Sequence, residues 1–96
     1  MLVGQGSKIF SAKSKRRDAF GIMAQILEIT KEGTLKTQIM YRANLSFTQL
    51  NEYLHFMVIN KLITRKAKEG REVYAITPKG FNFLQMHSDL IQLLKT

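Results

Sequence analysis

The sequence predicts an α+β domain that is mainly α-helical and contains one small β-hairpin. Apolar residues recur at intervals of three and four over most of the 96 residues, which is the periodicity of amphipathic helices. Between residues 62 and 77, β-branched residues flank a glycine turn, which is the signal of a hairpin. A chain of this length can bury a core as one domain, and it contains no cysteine for disulfides.

The N-terminal part predicts an arm followed by a helix. Residues 1–14 contain Gly, Ser and Lys with little periodicity, so we expect a flexible basic N-terminal arm. Helical spacing begins at about Lys15, and Gly33 stands just past the end of the pattern, as a C-cap does. The predicted inner face of this helix contains Phe20, Met23, Ile26 and Leu27. Thr34-Leu35 is long enough only for a short strand.

Two further helices are predicted on either side of a break at Asn44-Leu45. Lys36 to Ala43 can form two helical turns, and Asn44 tolerates the left-handed conformation that ends helices. Ser46 suits the N-cap of the next helix, which we expect to extend to about Asn60. The predicted inner face of that helix contains Leu50, Leu54 and Met57.

The period then changes to that of strands. Residues 62–68 and 73–77 predict two strands that are joined through a turn at Glu69-Gly70-Arg71. Thr77-Pro78 predicts the start of a last helix, since Thr caps helices and Pro is tolerated in the first turn. This order is that of a winged helix-turn-helix with an additional C-terminal helix. The predicted units are the arm at 1–14, a winged helix-turn-helix DNA-binding domain at 15–77 and a C-terminal dimerisation helix at 78–96.

Positive charge is concentrated in two short segments. The net charge is +8, and ten of the fifteen Lys and Arg residues lie between residues 8 and 17 or between 61 and 71. Charge runs are often only solvated faces, but this concentration favours a polyanionic partner such as nucleic acid or an anionic membrane. No apolar run reaches the roughly 20 residues that span a bilayer, and no signal peptide is recognisable. We therefore expect a soluble cytoplasmic protein without a membrane partner.

The helix at 46–60 is the candidate reader of DNA. Its outer face is polar and mostly uncharged near the N-terminus, where recognition helices contact bases, and Asn and Gln pair with adenine. The basic wing at 65–71 would contact the DNA backbone or the minor groove. For any single residue, an ordinary solvated helix face is the alternative. The predicted DNA-contacting residues are Lys15, Arg16, Arg17, Arg42, Ser46, Thr48, Gln49, Asn51, Glu52, Arg65, Lys66, Lys68 and Arg71.

Two stretches carry a resemblance to a known family. The segment KTQIMYRANLSFTQLNEYLHFMVINKLI, followed by YAITPKGFNFL, resembles small archaeal winged-helix DNA-binding proteins. The resemblance covers about residues 15–90. It implies a double-stranded DNA partner, a role as transcriptional regulator or nucleoid-associated chromatin-like protein, and a homodimer formed through the C-terminal helix.

The last helix indicates a dimer independently of that resemblance. Its apolar residues form two stripes, and a monomer of this size can cover only one of them. The alternative is that both stripes flank one broad face buried within the monomer. The predicted interface residues are Phe81, Phe83, Leu84, Met86, Leu90, Ile91 and Leu94.

Other classes of function have less support in the sequence. His55 and His87 stand without cysteine, clustered acids or metal-ligand spacing, so we predict no enzyme, no metal site and no cofactor. The main alternative is a winged-helix protein–protein interaction module of transcription or chromatin machinery. The cations of the wing favour DNA over that alternative. RNA binding is a third possibility. The sequence has no recognisable aromatic platform on which bases could stack, and this counts against RNA binding.

Overall fold

The structure, a computed structural model, describes residues 18–95. The predicted arm at 1–14 and the cations Lys15, Arg16 and Arg17 lie outside the described residues. In chain order the elements are α1 (Ala19–Ile29), β1 (Thr34–Leu35), α2 (Lys36–Ala43), α3 (Phe47–Ile59), β2 (Ile63–Lys68), β3 (Arg71–Ile76) and α4 (Pro78–Lys95). The predicted α+β fold class, a winged helix-turn-helix with a further C-terminal helix, is confirmed.

The sheet has three antiparallel strands in the order β1-β3-β2, namely the predicted hairpin and the short strand expected at Thr34-Leu35. The short segment Thr34–Leu35 supplies the third strand by pairing with Tyr74 and Val73 of β3. The hydroxyl of buried Thr34 donates to the carbonyl oxygen of Ile29 at 2.7 Å, which ties β1 back to the end of α1. The base of the hairpin is therefore joined to the helical core.

The turn between α2 and α3 follows the sequence signals residue by residue. Asn44 adopts the left-handed conformation at φ 56° and ψ 52°, and it ends α2. Leu45 is buried in the core. The Ser46 hydroxyl accepts from the backbone N–H of Gln49, and the Gln49 side-chain oxygen accepts from the backbone N–H of Ser46, both at 3.1 Å. This capping box starts α3 at the predicted residue.

The core lies between α1, α2, α3 and the sheet. Its fully buried large side chains are Ile26, Leu27, Ile39, Leu50, Met57, Ile63 and Thr30. The prediction that Phe20 belongs to the inner face of α1 is wrong, because its side chain is 61% exposed. Phe20 lies in the first turn of α1, between one open groove toward α3 and another toward α4. Its ring contacts Phe83 of α4 edge-on, with 6.2 Å between the centroids.

The start of α4 is fixed to the loop before the wing. The Thr77 hydroxyl accepts from the backbone N–H of Gly80 at 3.0 Å and lies 2.6 Å from the carbonyl oxygen of Lys61. A Cβ atom at Gly80 would collide with the carbonyl oxygen of Leu62 and lie 2.7 Å from Cγ1 of Ile76. Glycine at position 80 weakens the helix signal in the sequence, but this close approach of backbones requires it.

Candidate nucleic-acid interface

Helix α3 presents a polar outer face because its apolar residues are buried on the other side. Leu50, Leu54 and Met57 are buried in the core, whereas Thr48 and Glu52 are exposed. The helix has 13 residues, which corresponds to about 20 Å at 1.5 Å per residue. A helix of this length with a solvated face can enter a groove of duplex DNA.

The wing is a hairpin whose turn fixes its register. Glu69 and Gly70 both have positive φ, at 54° and 78°, as the two central residues of a type I′ turn do. Lys68 is therefore paired with Arg71, and Arg65 with Tyr74. Since side chains of directly paired residues lie on the same side of a sheet, this register assigns each wing cation to a face.

The four predicted wing cations divide between the two faces. Lys66, Lys68 and Arg71 lie on one face, which we call the cationic face. Arg65 lies on the opposite face together with Glu72 and Tyr74. The sequence pattern groups the four cations as one set, and the structure separates Arg65 from the other three.

Arg65 faces a groove of about 430 Å³ between the wing and α3. Side chains of both elements and of the start of α2 line this wing–helix groove, among them Lys36, Asn51, His55, Arg65, Glu72 and Tyr74. Asn51 and Arg65 are the two predicted DNA-contacting residues that the groove brings together.

An ion pair and a hydrogen bond order the wall of this groove. Arg65 Nε lies 3.7 Å from Glu72 Oε2, with both side chains a little over half exposed. The hydroxyl of Tyr74 donates to Glu72 Oε1 at 3.4 Å. Burial raises the pKa of the Tyr74 phenol, and the neighbouring Arg65 opposes this shift. Tyr74 is therefore a protonated donor to Glu72 at neutral pH.

Gln49 and Glu52 line a different groove on the other side of α3. This groove has about 460 Å³ and lies between α3 and the first turns of α1, where Phe20, Tyr53 and Phe56 form its apolar walls. Gln49 is also held in the capping box with Ser46. The predicted readers on α3 therefore do not form one cluster, since Asn51 lies on the wing side and Gln49 and Glu52 lie on the α1 side.

Arg42 and Ser46 flank the turn that precedes α3. Arg42 is exposed in the last turn of α2, and its carbonyl oxygen accepts from Gln25 Nε2 at 3.3 Å. Nearby, the ammonium of Lys36 lies over the ring of Phe47, 4.8 Å from the centroid. The capped N-terminus of α3 therefore has Lys36 against its first residue, and Arg42 precedes it at the end of α2.

The structure exposes more aromatic side chains than the sequence pattern indicates. Five of them are exposed on the helices of the described residues, namely Phe20, Tyr41, Phe47, Phe56 and Phe81. The strands contain one aromatic residue, Tyr74, which is buried. Among the described residues, the sheet therefore presents no exposed aromatic side chain, and a sheet is the surface on which strand-based RNA-binding modules stack bases.

Lys36, His55 and Glu72 line the wing–helix groove but are absent from the predicted contact set. For Glu72 the sequence does contain a signal. A two-residue turn at Glu69-Gly70 places Arg71 opposite Lys68, and the two-residue period of strands then puts Glu72 on the face of Arg65. Lys36 has no such signal, because its approach to the wing depends on the packing of α2.

Residues 18–95 contain no cluster of metal ligands and no helix that could span a membrane. In this part of the chain, no three His, Cys, Asp or Glu side chains converge in a way that could hold a metal ion. None of the helices described combines the length and the apolar character that crossing a membrane requires.

The sequence was also compared with models of protein families. The winged helix-turn-helix model matches residues 16–95, which covers all of the elements described above. The chain belongs to the winged helix-turn-helix family. This membership agrees with the resemblance to archaeal winged-helix proteins and places the chain in a non-enzymatic fold class, as predicted.

The chain is also similar to individual proteins and to solved structures. An uncharacterized protein of Methanocaldococcus jannaschii is 33% identical over 81 residues, which are 83% of this chain and 76% of the relative. Sso10a-2, a DNA-binding protein from Sulfolobus solfataricus, is 24% identical, with 82% of this chain and 83% of that chain covered and a TM-score of 0.75. BpsR of Bordetella bronchiseptica, whose DNA binding is regulated by 6-hydroxynicotinic acid, is 12% identical, with 94% and 67% covered and a TM-score of 0.69. At these identities the two structures show a shared fold.

Proposed function

We propose that this winged helix-turn-helix protein binds double-stranded DNA, as a transcriptional regulator or a chromatin-like protein. The cationic face of the wing carries the proposal. Lys68 is directly opposite Arg71, and Lys66 follows on the same face. Like charges that are directly opposite destabilise a hairpin. No acidic residue of β2 or β3 shares this face, so a bound polyanion is the partner that offsets the repulsion.

The proposed arrangement places α3 in the major groove. Thr48 and Asn51 then approach base edges, Arg42 and Ser46 approach phosphates beside the turn, and Gln49 and Glu52 lie at the shoulder of the helix. The cationic face of the wing contacts the backbone or the minor groove. Lys15, Arg16 and Arg17 precede Asp18, the N-cap of α1, in the sequence, and we include them as phosphate contacts. Such a protein would be associated with the nucleoid in the cytoplasm.

DNA-binding proteins among the structural neighbours support this proposal. Both Sso10a-2 and BpsR are described as binding DNA, and both share the fold. Fold alone does not determine function, so the charge of the wing and the polar face of α3 carry more weight. A module that docks proteins would not require three unneutralised cations on one face of its wing.

A comparison of variants tests whether the wing supplies affinity and α3 supplies sequence preference. The double variant Lys66→Ala/Lys68→Ala should weaken binding to all duplexes alike, because phosphate contacts carry no sequence information. Asn51→Ala should instead change the preference among duplexes recovered from a random library, since Asn contacts base edges. Equal effects of the two changes on every duplex would contradict base reading by α3. An unchanged affinity of the double variant would contradict binding through the wing.

We further propose that the protein is a homodimer formed through α4. Among the predicted interface residues, Phe83 and Leu84 pack partly against the core. The other five remain exposed in the described chain, namely Phe81, Met86, Leu90, Ile91 and Leu94. A groove of about 350 Å³ also runs between Phe20 and the α4 residues Met86 and Leu90. These exposures favour an intersubunit surface over one broad face buried within the monomer, because little of α4 beyond Leu84 is covered.

A further inference from the structure

Arg65 differs from the other wing cations because it shares its face with a carboxylate. Lys66, Lys68 and Arg71 lie on the cationic face, where no strand residue is acidic. Arg65 instead lies 3.7 Å from Glu72 and lines the wing–helix groove together with Asn51 of α3. A cation that serves only to attract phosphate has no use for a carboxylate at this distance, since the carboxylate competes with phosphate for the cation and repels it.

The contact between Arg65 and Glu72 leaves part of the guanidinium available. Glu72 Oε2 approaches Arg65 at Nε, the nitrogen nearest the aliphatic stem. An arginine side chain has five N–H donors in a planar fork, so a contact at Nε does not itself use the donors of the terminal amino groups. A carboxylate on the Nε edge therefore favours one orientation of the guanidinium without itself occupying the fork.

Glu72 is itself connected to the core. Tyr74 is 3% exposed, and its hydroxyl donates to Glu72 Oε1 at 3.4 Å. Tyr74 is also the cross-strand partner of Arg65, so the three side chains lie on one face of the hairpin. The buried Tyr74 thus places a donor beside the carboxylate, and the carboxylate lies beside the arginine. Such support from a second layer of side chains is what directional recognition requires.

We propose that Arg65 reads a guanine edge next to the bases that α3 contacts, and that Glu72 is the positioning residue for this contact. Guanine presents two neutral acceptors, O6 and N7, which match the arginine fork and are repelled by a carboxylate less than phosphate is. This inference rests on the proposed function, because it assumes that α3 and the wing bind one DNA duplex. It assigns to Arg65 a role in sequence preference, whereas the cationic face supplies affinity.

Selection from random duplexes tests the assignment, with Glu72→Gln compared against Glu69→Gln. Both substitutions remove one negative charge from the wing, but Glu69 lies in the turn, at the tip of the hairpin. We expect the unmodified protein to prefer G·C at one position by roughly tenfold, which is within the range of one bidentate contact. Glu72→Gln should reduce that preference to about twofold or less, while its affinity for random duplexes rises by about two- to fivefold as Arg65 is released. Glu69→Gln should keep the preference.

Arg65→Lys provides a second measurement. If the pair of Arg65 and Glu72 had only a structural role, this substitution would leave the sequence preference unchanged. Lysine keeps the charge but lacks the fork, so the salt dependence of binding should stay the same while the G·C preference disappears. Thermal unfolding checks that each variant is folded. A preference that survives Glu72→Gln or Arg65→Lys, or a preference for A·T tracts at this position, would overturn the assignment. Duplex binding by the unmodified protein without any sequence preference would overturn the inference alone, whereas no duplex binding at low salt would overturn the proposed function as well.

Discussion

At Gly80, even the addition of a single Cβ atom should strongly affect stability. The first turn of α4 passes so close to the Leu62 carbonyl and to Ile76 that a Cβ atom has no space. We expect Gly80→Ala to lower the free energy of unfolding by about 1–3 kcal/mol, because the backbones must separate. Chemical denaturation followed by circular dichroism measures this loss.

Gly21→Ala is the matched control for Gly80→Ala. Gly21 also lies in the first turn of a helix, but the nearest atom to an added Cβ is a carboxylate oxygen of Asp18 at 3.6 Å, an ordinary contact. Alanine there should raise the free energy of unfolding by about 0.5–1 kcal/mol, since it lowers the entropy of the unfolded chain. Equal destabilisation by the two substitutions would contradict the packing described for α4.

Ser46 is a second residue whose replacement should reduce stability. Its hydroxyl satisfies a free backbone N–H at the start of α3, and Gln49 completes the capping box. We expect Ser46→Ala to cost about 1 kcal/mol of stability and Ser46→Thr only a fraction of that, because Thr also caps helices. Thermal unfolding of both variants measures the difference. If alanine and threonine had the same effect, the cap would not be what starts α3.

Elements with strong local signals were predictable from the sequence. Asn44 and Ser46 act on their own neighbouring backbone, so the end of α2 and the start of α3 followed from residue types. The strand Thr34–Leu35 was indicated only as short, because it is defined by its pairing with Tyr74 and Val73, about 40 residues away in the chain. The division of the wing cations required the register as well as the composition.

At the scale of the wing, stability and DNA binding should respond to one substitution in opposite directions. Lys68→Glu replaces a like-charge pair with an opposite-charge pair across from Arg71. We expect the hairpin to become more stable by about 0.2–1 kcal/mol. Duplex affinity should fall, because at least one phosphate contact is lost and a negative charge is added. Denaturation and fluorescence anisotropy with a labelled duplex measure the two effects.

Lys79→Glu is the control for Lys68→Glu. It tests whether the loss of duplex affinity depends on the position of the substituted charge or only on the change in net charge. Lys79 is exposed in the first turn of α4, and glutamate there should also raise stability by about 0.3–1 kcal/mol through the helix dipole. The net charge changes by the same amount as in Lys68→Glu. If both variants lost the same duplex affinity, the wing would have no special role.

At the scale of the whole molecule, hydrophobic periodicity predicts which side of a helix is apolar but not whether a neighbour covers it. Phe20 continues the apolar stripe of α1, yet that stripe extends beyond the core into a groove. The apolar residues of α4 follow the same rule, since only Phe83 and Leu84 reach the core of the same chain. The depth to which a side chain is buried depends on the element that packs against it. The apolar pattern of one segment carries no information about that element.

The proposed dimer predicts a mass of about twice the 11.1 kDa of one chain in sedimentation equilibrium. Leu90→Asp should weaken dimerisation by about 2 kcal/mol or more, because it places a charge where an apolar side chain is buried. Gln92→Asp makes a negative charge at an exposed polar position of the same helix and should leave the mass unchanged. A monomeric mass of the unmodified protein at micromolar concentration would contradict the dimer.

The salt dependence of duplex binding measures whether the cationic face of the wing holds DNA. Three phosphate contacts by Lys66, Lys68 and Arg71 alone correspond to a slope of about −2.7 in a plot of log K against log salt concentration, at about −0.9 per contact. We therefore expect a slope of about −2.7 or steeper for the unmodified protein, and a slope shallower by about 1.8 for Lys66→Ala/Lys68→Ala. A slope near zero, or no binding to duplex DNA at low salt, would contradict DNA binding through the wing.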